Sequence, residues 1–208
     1  MSTHLFVRSS LGSALALAAA LTAGSIASAQ SPKSPLAIDT ARITIAGTSN
    51  VHDYTASTTD ARVTRVQFGT ATVGAAFWDE AQKPGGLEAF DISIAARSLT
   101  SAKEGIDKNM HKALKVKEHA EITFSLKRME GAPGELKAFG TLRIAGVERD
   151  VMLPLKTTRK GASLAVTGEL DVLMTDYGIA PPKAMLGMVK TDPKIKVTFE
   201  VVLAIATT

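Results

Sequence analysis

Apolar and polar residues alternate with a period of two over much of the chain. Phe90, Ile92, Ile94 and Ala96 share one parity against Asp91, Ser93 and Ala95, and Ile122, Phe124 and Leu126 alternate with Thr123 and Ser125. Val151, Leu153 and Leu155 follow the same rule, as do Leu164, Val166, Gly168, Leu170 and Val172. Ile195, Val197, Phe199, Val201, Leu203 and Ile205 form the cleanest run. Successive side chains of a strand point to opposite faces, so this alternation predicts strands with one dry face and one wet face. Residues 43–46, 51–56, 63–72 and 136–144 are further candidates. Roughly eight or more strands in one domain of this size predict an all-β fold, an antiparallel barrel or sandwich.

One stretch breaks the period. Ile106, Met110, Ala113 and Leu114 recur at helical spacing, so residues 107–115 are expected to form a short amphipathic α-helix. Asp107 then lies near its N-terminus, where a carboxylate suits the helix dipole. A helix across one opening of a barrel fits this order of elements.

The termini change the picture of where the protein works. Arg8 precedes an Ala/Leu-rich run over residues 11–26, and Ala27-Ser28-Ala29 matches the small-residue pattern before a signal-peptidase cut. Residues 1–29 are therefore expected to be a cleaved signal peptide, making the mature protein soluble and periplasmic or secreted. Residues 30–37, "QSPKSPLA", read as a flexible lead-in, and residues 38–206 as one domain. The chain has no cysteine, which removes thiol nucleophiles, thiolate metal sites and disulfides together. A formal charge of +4 is too slight to imply a nucleic-acid partner. One local excess stands out over residues 108–117, where Lys108, Lys112, Lys115 and Lys117 occur without an acid. It is either a solvated helix face or a contact with an anionic membrane surface.

Candidate chemistry is sparse. Beyond the leader only His52, His111 and His119 remain, and their spacing matches no common zinc signature. Met110, Met174, Met185 and Met188 raise a soft copper(I) site, yet scattered methionines more simply fill gaps in an apolar lining. No serine sits in a Gly-x-Ser-x-Gly turn, and Gly85-Gly86 after Pro84 looks like a turn rather than a phosphate loop. No catalytic residue, metal site or cofactor is assigned, and the chain reads as a non-enzyme.

The stretch "TDYGIAPPKAMLGMVK", residues 175–190, is more apolar than a free surface loop. It either plugs the barrel end as core or lines the mouth of a cavity. A barrel of about eight strands is filled by side chains or holds one small ligand. With only one tryptophan and two tyrosines, and many small inward candidates, room remains inside. A long apolar ligand is the natural occupant, driven by burial at roughly 25 cal/mol per Å² before association costs. The lining expected from parity is Phe68, Phe90, Ile92, Ile94, Phe124, Leu142, Leu170, Val172 and Phe199, with Tyr177, Met185, Leu186 and Met188 near the mouth.

"GTSNVHDYTA", "SLTSAKEGIDKNMHKALKVKEHAEITFSL", "GTLRIAGVERDVMLPL" and "DVLMTDYGIAPPKAMLGMVKTDPKIKVTFEVVL" resemble, in this order, segments of the YceI-like family of exported bacterial proteins. The resemblance spans residues 37–206. It implies a lipocalin-like antiparallel β-barrel with a helix across one end, and a tunnel holding a polyisoprenoid, another long-chain lipid or a quinone-like amphiphile. It also implies a carrier, storage or stress-linked role without established catalysis; the protein is expected to be a monomer or homodimer. Departures are His111, where many relatives carry tyrosine, and Ala120, where many carry proline.

His52-Asp53 lies within the first of these segments. On a strand, His52 would share the face of Tyr54, and its polar neighbours leave three roles: bonding backbone or a nearby loop, touching a ligand head group, or acting as a general base oriented by Asp53 in a lipid-modifying enzyme. A further alternative is an accessory protein docking to a membrane redox or stress system through Lys108 to Lys117.

Overall fold

In the computed structural model the described residues are 34–184 and 188–206. The expected signal peptide, Met185 and Leu186 lie outside them. Strands form where the alternation places them: β1 (Leu36–Ser49), β2 (Tyr54–Thr58), β3 (Ala61–Phe68), β4 (Leu87–Ala95), β5 (Glu121–Ala132), β6 (Glu135–Ile144), β7 (Val147–Lys160), β8 (Ser163–Leu173), the short β9 (Lys183–Ala184) and β10 (Val189–Ile205). Two helices, α1 (Phe77–Ala81) and α2 (Glu104–Ala113), complete the fold. The ladders are antiparallel and run β2-β1-β10-β8-β7-β6-β5-β4-β3, with β9 paired to β10 alone. The sheet curls until β1 lies against β3, giving the all-β, lipocalin-like barrel the alternation and the resemblance predict.

The alternation gives the curled sheet a dry inner face and a charged outer one. Ile92, Ile94, Phe124, Leu142 and Val197 face inward, while the intervening positions carry exposed ion pairs such as Lys194–Asp171 at 2.8 Å and Lys127–Asp150 at 2.6 Å. Such surface pairs contribute about 0–1 kcal/mol each. The stability therefore rests on the inner face.

One seam in the wall is not laddered. β7 pairs with β8 only over Leu155–Lys160, so residues 147–154 bond to β6 alone and residues 169–173 to β10 alone. The ladder stops at Pro154, which has no N–H to donate. The 3₁₀ turn Met174–Tyr177 packs against β7, β8 and β10 there, burying Met174, Tyr177 and Ile179. Gly178, at φ 65°, supplies the left-handed residue that ends the turn.

The two ends close differently. At the far end α1 buries Phe77 and Trp78 against Leu36, Leu164, Val201 and Leu203. The Phe68 and Phe77 rings meet edge-on at 5.0 Å, and Trp78 Nε1 donates to the Ala162 carbonyl at 2.8 Å. At the near end α2 crosses the opening. It starts three residues before the expected position; Asp107 lies in its first turn, as expected, and its carboxylate accepts the Ser101 N–H at 2.7 Å. His111 Nε2 lies 2.8 Å from the Leu99 carbonyl oxygen, tying the helix to the preceding loop. His119 packs over Gly146, whose missing side chain leaves space for the ring.

Strand boundaries also differ from expectation: residues 69–72, expected at the end of a strand over 63–72, lie beyond β3. β1 begins at Leu36, inside the expected lead-in, because Leu36 is 1% exposed and packs under α1. Residues 51–53 form the turn between β1 and β2, not strand, so strand parity does not orient His52.

Candidate ligand cavity and its mouth

The inner face does not fill the barrel. A cavity of about 700 Å³ remains between the strands and α2, within the roughly 300–1,000 Å³ of ordinary ligand pockets. Its walls are Ile45, Ile92, Ile94, Ile122, Phe124, Leu142, Leu170, Val172, Val197 and Phe199, roofed by Ile106, Met110, Ala113 and Leu114 of α2. The polar lining gathers among Ser49, His52, Tyr54, Lys103, Asn109, Lys183 and Thr191, from the end of β1 to the start of β2, from α2 and the residue before it, and from β9 and the start of β10.

Glycines explain the hollow interior. The Phe124 ring lies over Gly140, and the Phe199 ring over Gly168; a Cβ at either glycine would stand 2.5 Å from the ring. Tyr54 lies over Gly47 in the same way. The tip of each ring packs against a neighbouring strand's backbone. Aromatic side chains therefore narrow the cavity less than their volume suggests.

A second, smaller chamber of about 120 Å³ lies toward α1, lined by Trp78, Gln82, Phe90, Leu126 and Leu155 among others. Ile92, Phe124, Leu153, Phe199 and Val201 line both chambers. At its floor Thr157 Oγ1 donates to Gln82 Oε1 at 2.5 Å, and Gln82 Nε2 donates to the Trp78 carbonyl at 2.8 Å, so these buried polar groups are satisfied.

The mouth is held by the β1–β2 turn. Ser49 Oγ donates to the His52 carbonyl at 2.8 Å and accepts the His52 N–H at 3.1 Å. Asn50 Nδ2 donates to the Met188 carbonyl at 2.8 Å, while Asn50 Oδ1 accepts the Lys190 N–H at 2.7 Å. The segment entering β10 is thereby latched to the turn. His52 itself is exposed, with Nδ1 3.1 Å from the Asp53 carbonyl oxygen rather than a carboxylate. Burial, with the Asp192 carboxylate as a lesser cause, pushes the Tyr54 phenol above its usual pKa. Burial and then Asp176 do the same for Tyr177.

Of the residues expected on the lining, Ile92, Ile94, Phe124, Leu142, Leu170, Val172, Tyr177 and Phe199 meet around the main cavity. Phe90 instead lines the small chamber, and Phe68 packs on Phe77, because both lie on the inner face but nearer α1. Met188 is 66% exposed and turned away from the cavity; only its carbonyl is used, by Asn50. The latch through Asn50, the wall residues Ile122, Ile195 and Val197, and Tyr54 were not singled out from the sequence. For Ile122, Ile195 and Val197 the signal was present as parity. Among the described residues no three His, Cys, Asp or Glu side chains gather as a metal site.

An antiparallel barrel with an apolar interior and a polar mouth is the architecture of proteins that enclose one small ligand. The sequence profile of the YceI-like domain matches residues 36–203, and the chain belongs to that family. Its fold is similar to Burkholderia cenocepacia BcnA, with TM-score 0.63 and 15% identity over 80% of this chain and 96% of that one. A polyisoprenoid binding domain from Saccharophagus degradans is also similar, with TM-score 0.60 and 12% identity over 83% and 99% of the two chains. The Campylobacter jejuni YCEI protein aligns with TM-score 0.54 and 19% identity over 72% and 82%. No curated protein matches this sequence.

Proposed function

We propose that this protein binds a long-chain amphiphile, a polyisoprenoid or a related lipid or quinone, with the tail in the barrel and the head group at the mouth. The observation that carries this reading is an apolar cavity of about 700 Å³ whose polar lining is gathered at one opening. The structural likeness to a protein described as a polyisoprenoid binding domain supports the same ligand class. We place the protein in the periplasm, after loss of residues 1–29, as a carrier or store for such a lipid. Binding rather than catalysis is favoured because His52 is exposed and its ring meets a carbonyl oxygen, not the Asp53 carboxylate. Titration with a polyprenyl alcohol, followed by displacement of a fluorescent fatty chain, tests the reading. Saturable binding with one site per chain is expected; no binding, with the protein folded, would refute it.

A second reading concerns where cargo is exchanged. Val51 and Met188 are 62% and 66% exposed and sit on the two segments that Asn50 joins at the mouth. Lys108 and Lys112, on the helix that roofs the cavity, are exposed as well. Apolar tips beside cationic side chains suit transient contact with an anionic bilayer. Co-sedimentation with phosphatidylglycerol vesicles should fall with added salt and with V51D/M188D. Binding indifferent to both would count against membrane contact.

A further inference from the structure

The boundary between the two chambers is built from side chains that belong to both. Ile92 on β4, Phe124 on β5, Leu153 on β7, and Phe199 and Val201 on β10 line the main cavity on one side and the small chamber on the other. They come from strands spread around the barrel, so together they form a collar across its lumen. The two phenyl rings are its bulkiest members. Both already rest on glycine backbone, Phe124 on Gly140 and Phe199 on Gly168. A ring against a strand backbone has nowhere further to retreat, because a close-packed wall does not yield by the width of a methylene chain. The collar is thus as wide as these rings allow, and its five side chains border both chambers where they adjoin. The small chamber beyond it is lined almost wholly by apolar side chains.

We infer that this collar is a length gauge: Phe124 and Phe199 stop the ligand's tail at the floor of the main cavity and so set the longest chain the protein accommodates. The small chamber is a reserve that only a longer tail could reach, and only with a smaller residue in the collar. This inference rests on the proposed binding of a long-chain amphiphile. It adds which residues select among chain lengths.

The protein carries its own reporter. Trp78 is the single tryptophan and lines the small chamber but not the main cavity. A bromine at the tail end quenches tryptophan on contact, so Trp78 reports whether a tail has passed the collar. The probes are saturated fatty acids of increasing length, plain and brominated at the terminal carbon. In the wild-type protein affinity should rise about fourfold per methylene and then level off, with Trp78 unquenched at every length. Phe124→Leu and Phe199→Leu should move the levelling-off to longer chains and let the bromine quench Trp78. Leu153→Phe should move it to shorter ones.

Terminal bromine quenching Trp78 in the wild type would overturn the gauge without need of any variant. A levelling-off that stays at the same length in all three variants would overturn it too. If no fatty chain binds at any length, the lipid-binding reading falls with it; if chains bind but show no break, the gauge alone falls.

Discussion

Asn50→Ala should unlatch the mouth while leaving the barrel intact. The side chain makes two hydrogen bonds across the opening, at 2.8 Å to the Met188 carbonyl and 2.7 Å from the Lys190 N–H. A net intramolecular hydrogen bond is worth about 0.5–1.5 kcal/mol, and the exposed setting, where water can replace the lost partner, favours the lower half of that range. The pair is then worth about 1–2 kcal/mol of local stability, roughly a 5–30-fold increase in the population of the open form. The backbone bond from the Asn50 N–H to the Lys190 carbonyl at 3.1 Å survives the substitution and limits the effect to the latch. Amide hydrogen exchange measures it directly. The Lys190 amide should exchange about 5–30-fold faster, while amides in the β5–β6 ladder keep their wild-type rates. Asn50→Asp keeps the acceptor for Lys190 but loses the donor to Met188, so it should fall between the two. Lys190 exchange unchanged in Asn50→Ala would refute the latch, and so would acceleration spread evenly over the barrel.

Both tyrosines have phenols raised above the ordinary value, Tyr54 by burial and Asp192 and Tyr177 by burial and Asp176. Ultraviolet titration of the folded protein should therefore show no tyrosinate component at the usual pKa of about 10. The folded state holds these protons more tightly than the unfolded chain, so their contribution is complete below about pH 10 and is lost as pH rises toward the folded values. Trp78→Ala removes the indole that α1 buries under the barrel and its bond to Ala162, and should lower stability by about 3–5 kcal/mol in denaturant melts. Ser93 has a buried hydroxyl with no hydrogen-bond partner among the described residues, so Ser93→Ala should be neutral or stabilising by about 1 kcal/mol by the same assay.

How much of this was legible in the sequence follows from what periodicity can encode. Alternation over β4, β5 and β10 gave strand, face and the identity of most wall residues, since one parity must be dry. It could not give height along the barrel. Phe68 and Phe90 point inward like Ile92 and Ile94 yet lie nearer α1, because parity separates inside from outside and says nothing of the distance to the mouth. α1 was hidden because "FWDEA" spans five residues, too few for a helical period to register. The β1–β2 turn reads as strand because Val51 and Tyr54 are strand-favouring residue types, whereas Ser49 and Asn50 bind the backbone and hold a turn. The apolar stretch after β8 had two physical roles at once. Its first half seals the seam beside Pro154, and Pro182, Lys183 and Val189 border the mouth.

The central claim is that the barrel holds a long-chain lipid. Native mass spectrometry of protein purified without detergent, followed by organic extraction, tests it most directly. The account predicts a co-purifying mass that extracts as one polyisoprenoid, quinone or fatty lipid per chain. A bare protein mass that stays unchanged after incubation with such lipids would contradict it.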